Sequence, residues 1–186
     1  MRYGMLIDTR YCSGCQTCVV SCKMSNQVGG DAFYSHVISL DGDVLYQATG
    51  VFPDVRIKFR PTLCNHCESP ACFANCPTGA VAKDVETGIV SIDKELCIGC
   101  GDCAASCPYD IPIVLQDEGI AGKCDFCASR VANGELPYCV AACPTRTRYF
   151  GDIDDPDSDI SKMSAEFGAN TYLPEAGTGP SVYYIV

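Results

Sequence analysis

The chain has 186 residues, with 23 acidic and 13 basic side chains and a formal net charge of −10. This length suggests one or two domains, and the negative charge argues against nucleic acid as a partner. No apolar run reaches the roughly 18 residues that a membrane-spanning helix needs. Asp8 and Arg10 interrupt the apolar start of the chain, so we expect neither a transmembrane segment nor a signal peptide.

Short strands, cysteine runs and insertions follow one another along the chain. In chain order we predict a strand at Tyr3–Asp8, a cysteine run at Cys12–Cys22, an insertion at 24–54, a second run at Cys64–Cys76, a hairpin formed by Ala80–Lys83 and Ile89–Ile92, a third run at Cys97–Cys107, an insertion at 109–122, a fourth run at Cys124–Cys143, a strand at Thr147–Gly151, and a tail at 152–186 with a short helix at Ser161–Ala169 capped by Ser161. The tail ends in an apolar segment, so we expect it to lie over the folded body.

The second and third runs with their hairpin resemble one two-cluster ferredoxin, and the first and fourth runs resemble the halves of another. The sequence therefore predicts an α+β fold of two nested bacterial-ferredoxin-like modules, each with two [4Fe–4S] clusters. The outer module comprises residues 1–23 plus 123–151, the inner module residues 55–108, the insertions residues 24–54 and 109–122, and an extended C-terminal tail residues 152–186.

All sixteen cysteines of the chain belong to these four runs. The first and third runs have three cysteines separated by two residues and a fourth after three more, which is the bacterial ferredoxin spacing, and Pro108 follows the third run. The 47% hydrophobic share includes these cysteines, and without them it falls to roughly 38%, below the usual apolar share. We therefore expect metal–thiolate bonds to replace part of the core, so that the metal-free chain is largely unfolded.

Disulfides and zinc are the other interpretations of such a cysteine count. Disulfides suit small secreted scaffolds, whereas this chain is longer and shows no export signal. Zinc sites are commonly built from two separated Cys-x-x-Cys pairs. Three cysteines at successive gaps of two favour iron–sulfur clusters over zinc, because three thiolates around one face of a cube need this crowding.

In two-cluster ferredoxins the fourth cysteine of one run binds the cluster of the other run. Applying this exchange to both modules predicts four ligand sets. The first set is Cys12, Cys15, Cys18 and Cys143; the second is Cys64, Cys67, Cys72 and Cys107; the third is Cys97, Cys100, Cys103 and Cys76; and the fourth is Cys124, Cys127, Cys139 and Cys22. Each oxidised cluster with its four thiolates would carry a net charge of about −2.

Several polar residues adjoin the predicted ligands. We expect His66 to be a hydrogen-bond donor near a cluster or a solvated residue, because thiolates already complete the ligand count. Lys23, Lys123, Arg130 and Arg146 are either charges that raise cluster potentials or ordinary surface charges. Nothing in the sequence has the pattern of a catalytic nucleophile with its base or of a phosphate-binding loop. We expect a non-catalytic protein that moves electrons.

Four motifs carry a resemblance to a known family. They are Cys12-Ser-Gly-Cys-Gln-Thr-Cys, Cys64-Asn-His-Cys-Glu-Ser-Pro-Ala-Cys, Cys97-Ile-Gly-Cys-Gly-Asp-Cys and Lys123-Cys-Asp-Phe-Cys, in this order. With them the chain resembles the four-cluster iron–sulfur subunits of the dimethyl sulfoxide reductase family of molybdopterin oxidoreductases, from Tyr3 to Gly151. Because Cys103 is present, where some relatives lack a cysteine, the resemblance implies four-iron clusters throughout.

The resemblance also implies partner subunits and a cellular location. The main partner would be a large catalytic subunit that holds a molybdenum or tungsten bis-pterin, and a membrane-anchor subunit or a soluble donor would exchange electrons with the clusters. The chain would fold in the cytoplasm and either stay there or be exported with a signal-bearing partner. Two alternatives stay open, namely a free-standing polyferredoxin or hydrogenase-type carrier, and a zinc-binding interaction module.

Overall fold

Short strands and short helices make up this chain. The computed structural model describes residues 1–40 and 46–186. Within them the strands are β1 Tyr3–Asp8, β2 Ser35–Ser39, β3 Phe59–Leu63, β4 Val81–Lys83, β5 Val90–Ile92, β6 Ile113–Leu115, β7 Ile120–Gly122, β8 Arg148–Asp152, β9 Asn170–Thr171 and β10 Val182–Ile185. The helices are α1 Thr17–Ser25, α2 Ala71–Ala74, α3 Asp102–Ala105, α4 Ala128–Ala132, α5 Tyr138–Ala141 and α6 Asp159–Glu166, with 3₁₀ turns at Thr9–Tyr11 and Pro174–Ala176. Over this part of the chain, no helix combines the length and the hydropathy needed to cross a bilayer.

The largest sheet joins three distant parts of the chain. Its strand order is β8-β1-β10-β9. Strand β1 pairs antiparallel with β8, where Leu6 lies opposite Tyr149, and parallel with β10, where Leu6 lies opposite Tyr183. The strands predicted before the first cysteine run and after the fourth therefore pair with each other.

Both faces of β1 are buried. Met5 and Ile7 point into the core that contains most of the buried cysteines, whereas Leu6 packs with Ile185 of β10 and Ile160 of α6 on the opposite face. This division follows from the two-residue period of a strand. The sheet thus separates the cysteine-bearing core from a smaller cluster under α6.

Three two-stranded hairpins complete the sheet structure, formed by β2–β3, β4–β5 and β6–β7. The predicted hairpin after the second run is confirmed, with Val81 opposite Ile92. Its turn is closed by the Asp84 carboxylate, which accepts the Thr87 N–H at 2.8 Å, and by Gly88 at φ +73°. The predicted insertion 24–54 contributes β2 to the first hairpin, although its residues 41–45 lie outside the described part. The insertion 109–122 forms the third hairpin.

The C-terminal segment differs from the predicted extended tail. It contains α6, β9 and β10, and β10 lies in the middle of the largest sheet rather than over its surface. Helix α6 begins earlier than predicted, because the N-cap is Ser158, whose hydroxyl accepts the Ser161 N–H at 3.2 Å. The prediction that Ser161 caps this helix was therefore wrong. Ser161 is the third helical residue, and its amide is the one that needs a capping acceptor.

Candidate metal centres

The last two cysteines of every run lie four residues apart. These pairs are Cys18 and Cys22, Cys72 and Cys76, Cys103 and Cys107, and Cys139 and Cys143. The first member of each pair lies on a helix, in α1, α2, α3 and α5 respectively. Four helical residues advance the chain by about 6 Å and return to nearly the same face. The third and fourth thiols of one run can therefore face two neighbouring metal sites.

The first predicted set surrounds one cavity. Cys12, Cys15, Cys18 and Cys143 line it, together with side chains that include Arg148 and Val37. The loop between the first two cysteines turns at Gly14, which has φ +67°, and a Cβ there would lie 2.7 Å from the ring of Phe59. Only glycine fits both the positive φ and this contact.

The second and third predicted sets each surround a cavity as well. Cys64, Cys67, Cys72 and Cys107 line one of them, and Cys76, Cys97, Cys100 and Cys103 line the other. The space between protein atoms, including space open to solvent, is about 350 Å³ at the second set and about 300 Å³ at each of the first and third. Three cavities of similar size, each lined by four thiols, suit the same kind of bound cofactor.

The cysteines of the fourth set interact with one another electrostatically. Burial raises the pKa of Cys22 to about 12, with contributions from the Cys139 and Cys127 thiolates. Burial also raises the pKa of Cys124 well above its usual value, and the thiolates of Cys64, Cys139 and Cys22 add to the rise. Helix α1, which carries Cys22, packs against α5, which carries Cys139. The structure therefore brings Cys22 of the first run close to cysteines of the fourth run.

The four sets form a row. Burial raises the pKa of Cys18, Arg148 opposes the rise, and the Cys139 thiolate adds to it, which places the first set beside the fourth. The effect of Cys64 on Cys124 places the fourth set beside the second. Cys72 and Cys103 belong to one buried cluster, which places the second set beside the third. The order along the row is first, fourth, second, third.

Each end of the row has one exposed cysteine. All sixteen cysteines are free of disulfides, and the two exposed ones are Cys15 and Cys100. Cys15 belongs to the first set and Cys100 to the third. The second and fourth sets, in the middle of the row, have only buried or half-buried cysteines.

Hydroxyl groups accompany several of the sulfurs. The hydroxyls of Thr17, Thr78 and Thr145 lie 3.4 to 3.7 Å from the cysteine sulfur two residues earlier. Burial raises the pKa of Cys143, but hydrogen bonds from Thr147 and Thr145 outweigh burial and bring it to about 7. These donors favour thiolates, which are the form that binds metal. The Cys-x-Thr spacing was visible in the sequence, but its role was not predicted.

Two buried cations lie among the cysteines. Lys123, one of the four charges singled out from the sequence, is 6% exposed, and Arg148, which sequence reasoning missed, is 4% exposed. The other three are half-buried or exposed, and the charge of Arg130 opposes the rise that burial causes in the pKa of Cys127. Lys23 donates to the carbonyls of Gly30 and Ala32, Arg130 pairs with Glu135 at 2.8 Å, and Arg146 is exposed.

His66 is not solvated. It is 1% exposed, and its ring stacks on Phe126 with centroids 3.6 Å apart. Its Nδ1 accepts the Val90 N–H at 3.0 Å, so the neutral ring carries its proton on Nε2. Burial, assisted by Lys123, lowers the pKa of His66 well below its usual value. Of the two predicted roles, that of a solvated residue was wrong.

The donor chemistry of these places fits iron–sulfur clusters. Every set supplies four thiols and no carboxylate or imidazole, and thiolates are the protein ligands of [4Fe–4S] clusters. Among the described residues, no three His, Cys, Asp or Glu side chains are arranged to hold a single metal ion. In the first three sets the thiols instead surround cavities, as they must if they enclose a larger group.

Comparisons with known proteins agree with this chemistry. The family model described as a 4Fe-4S dicluster domain matches residues 55–153, just over half of the chain. Protein NrfC of Escherichia coli is 37% identical over 186 residues, covering 100% of this chain and 81% of its own. A tetrathionate reductase subunit of Salmonella typhimurium is 40% identical over 186 residues, covering 99% and 72%. The arsenate respiratory reductase iron–sulfur subunit ArrB of a Shewanella species is 33% identical over 233 residues, covering 100% and 96%.

Proposed function

We propose that this chain, which belongs to the family of 4Fe-4S dicluster iron–sulfur subunits, relays electrons between a redox partner and a molybdopterin-containing catalytic subunit. Its membership of the family confirms the resemblance to the electron-transfer subunits of molybdopterin oxidoreductases. Each [4Fe–4S] cluster, when bound, supplies a site that accepts and releases one electron. The protein itself fixes where those sites lie and which of them face a partner.

We assign sixteen iron ligands to the four predicted sets. The first, second and third sets each surround a cavity, and the fourth gathers four electrostatically coupled cysteines. This grouping supports exchange of the fourth cysteine between runs, because Cys143 lines the cavity of the first run and Cys107 lines that of the second.

The observation that carries the proposal is the row of sets with two exposed ends. A relay needs one opening for arriving electrons, another for departing electrons, and an interior protected from solvent. Cys15 and Cys100 are the exposed cysteines and belong to opposite ends of the row, while the cysteines of the middle sets are buried or half-buried. A storage protein or a single-site carrier would not need this arrangement.

The nested-module description is also part of the proposal. Pairing of β1 with β8 supports an outer module of residues 1–23 plus 123–151, and the β4–β5 hairpin between the second and third runs supports an inner module of residues 55–108. The insertions extend these modules through the β2–β3 and β6–β7 hairpins. Residues 152–186 close the outer module by adding β10 to its sheet.

We further infer that the partner is a large subunit with a molybdenum or tungsten bis-pterin, and that a membrane-anchor subunit or a soluble donor faces the other end of the row. In this scheme the chain folds with its clusters in the cytoplasm, and it either remains there or leaves together with a signal-bearing partner. The alternative is a free-standing carrier, which would expose the same two ends to exchangeable partners.

Anaerobic affinity purification of the chain from its native cells tests the proposal. We expect a large subunit to copurify, with a pterin and with molybdenum or tungsten in equal amount to the chain. We also expect a reduced artificial dye to transfer electrons through the complex to the pterin subunit. Elution as a lone chain with all of its clusters would contradict the proposal and favour the free-standing carrier.

A further inference from the structure

Arg148 is a buried charge that no carboxylate of the described residues neutralises. It is 4% exposed, and within residues 1–40 and 46–186 no carboxylate lies within ion-pair distance of it. Its Nη1 donates to the sulfur of Met5 at 3.5 Å, and its buried Nη2 has no hydrogen-bond partner in that part of the chain. A buried cation without an anion is strongly destabilising, so this site requires negative charge from another source.

The surroundings of Arg148 show where that charge belongs. The side chain lines the cavity of the first set. Burial lowers its pKa, but the thiolates of Cys139 and Cys18 outweigh burial and raise it above its usual value. Cys139 belongs to the fourth set and Cys18 to the first, so Arg148 stands between these two neighbouring places.

Lys123 holds the corresponding position on the other side of the fourth set. Its ammonium group is buried and donates to the carbonyl oxygens of Val90 and Cys124. Val90 lines the cavity of the second set, whereas Cys124 belongs to the fourth. The described residues provide no carboxylate partner for this side chain either. The two carbonyls fix the ammonium group in place without neutralising its charge.

We propose that Arg148 and Lys123 are fixed positive charges that raise the reduction potentials of the cluster pairs they separate, Arg148 acting on the first and fourth clusters and Lys123 on the second and fourth. This inference rests on the proposed function. A cluster with its thiolates is already negative and gains another negative charge on reduction. A fixed cation nearby therefore stabilises the reduced form more than the oxidised form and raises the potential. An arginine keeps its charge at every pH at which the protein is folded.

The fourth cluster receives both effects, and the third receives neither. We therefore expect the buried cations to hold the fourth cluster at a higher potential than its thiol ligands alone would set. Both residues act on the clusters through space, so they are positioning charges that do not bind iron.

The test is a redox titration of the purified complex under anaerobic conditions, monitored by electron paramagnetic resonance. The signals of the four clusters are assigned beforehand from their loss in Cys15→Ala, Cys67→Ala, Cys100→Ala and Cys127→Ala. Arg148→Gln should lower the midpoint potentials of the first and fourth clusters and leave the other two unchanged. Lys123→Gln should lower those of the second and fourth. Arg148→Lys and Lys123→Arg keep the charge, so their midpoint potentials should stay close to those of the unmodified protein.

Arg146→Gln is the matched control, because Arg146 is exposed and only two residues from Arg148, and its loss should shift no cluster. Unchanged potentials in Arg148→Gln with full iron content would overturn the inference and leave the proposed function intact, as would an equal shift in the control. Absence of clusters from the unmodified chain would instead overturn the proposed function.

If Arg148→Gln loses iron, the iron contents of further variants at this position test whether the charge is required. In that case Arg148→Met, which is similar in length and apolar, is compared with Arg148→Lys. Loss of iron from both neutral variants, with full iron in Arg148→Lys, supports a requirement for charge. Equal loss from all three variants would show that only the shape of the arginine matters and would contradict the inference.

Discussion

Exchange of the fourth cysteine between runs is tested by two substitutions on one helix. Cys18 and Cys22 both lie on α1, about 6 Å apart along its axis, and both are buried. We assign them to different clusters, the first and the fourth. Cys18→Ala and Cys22→Ala remove the same atom from the same helix, so any general damage to α1 is shared by the two variants.

Each substitution should affect one cluster only. The iron content should fall from about sixteen atoms per chain by at most about four, because each cysteine belongs to a single set. In low-temperature electron paramagnetic resonance of the reduced protein, the signal lost in Cys22→Ala should match the signal lost in Cys127→Ala. The signal lost in Cys18→Ala should match that of Cys15→Ala. If Cys22→Ala instead reproduces the spectrum of Cys15→Ala, the fourth cysteine stays with its own run and the assignment of the sets is wrong.

Three further predictions concern folding and assembly. Removal of iron with an oxidant and a chelator should abolish most of the far-ultraviolet circular dichroism, because the clusters supply folding free energy; a metal-free chain that keeps its native spectrum would contradict this. Assembly from the reduced metal-free chain should strengthen as the pH rises to about 8.5, where unfolded thiols ionise, and then level off. If the metal-free chain stayed folded, cluster assembly would instead keep strengthening up to about pH 12, since burial raises the pKa of Cys22 and Cys72 to about 12. Phe126→Ala should lower the free energy of unfolding of the cluster-loaded protein by about 3–5 kcal/mol, measured by denaturant-induced bleaching, because Phe126 is 1% exposed and stacks on His66. Phe52→Ala, at a side chain that is 88% exposed, is the control and should change the free energy of unfolding by less than about 0.5 kcal/mol.

Local features were predictable because their determinants are local. The cysteine runs follow from spacing alone. The β4–β5 hairpin follows from two short β-prone segments around Thr87 and Gly88, and Asp84 adds the side-chain acceptor that closes the turn. The grouping of thiols around cavities was predictable because the ferredoxin repeat occurs twice.

Features that depend on distant pairing were not predictable from the sequence. The place of β10 beside β1 joins residues more than 170 positions apart, and no pattern within residues 182–186 specifies that partner. The same limit explains the missed Arg148. A strand was predicted around it, but the direction in which its side chain points depends on the pairing of β8 with β1. Arg146, two residues earlier, was singled out instead and is exposed.

The content of iron and acid-labile sulfide in the anaerobically purified chain tests the central claim most directly. Four clusters require about sixteen irons and about sixteen sulfides per chain, and the protein should be brown and bleach on reduction. A colourless protein without labile sulfide, or one that holds about four zinc ions, would contradict the claim that these sixteen cysteines form an electron relay.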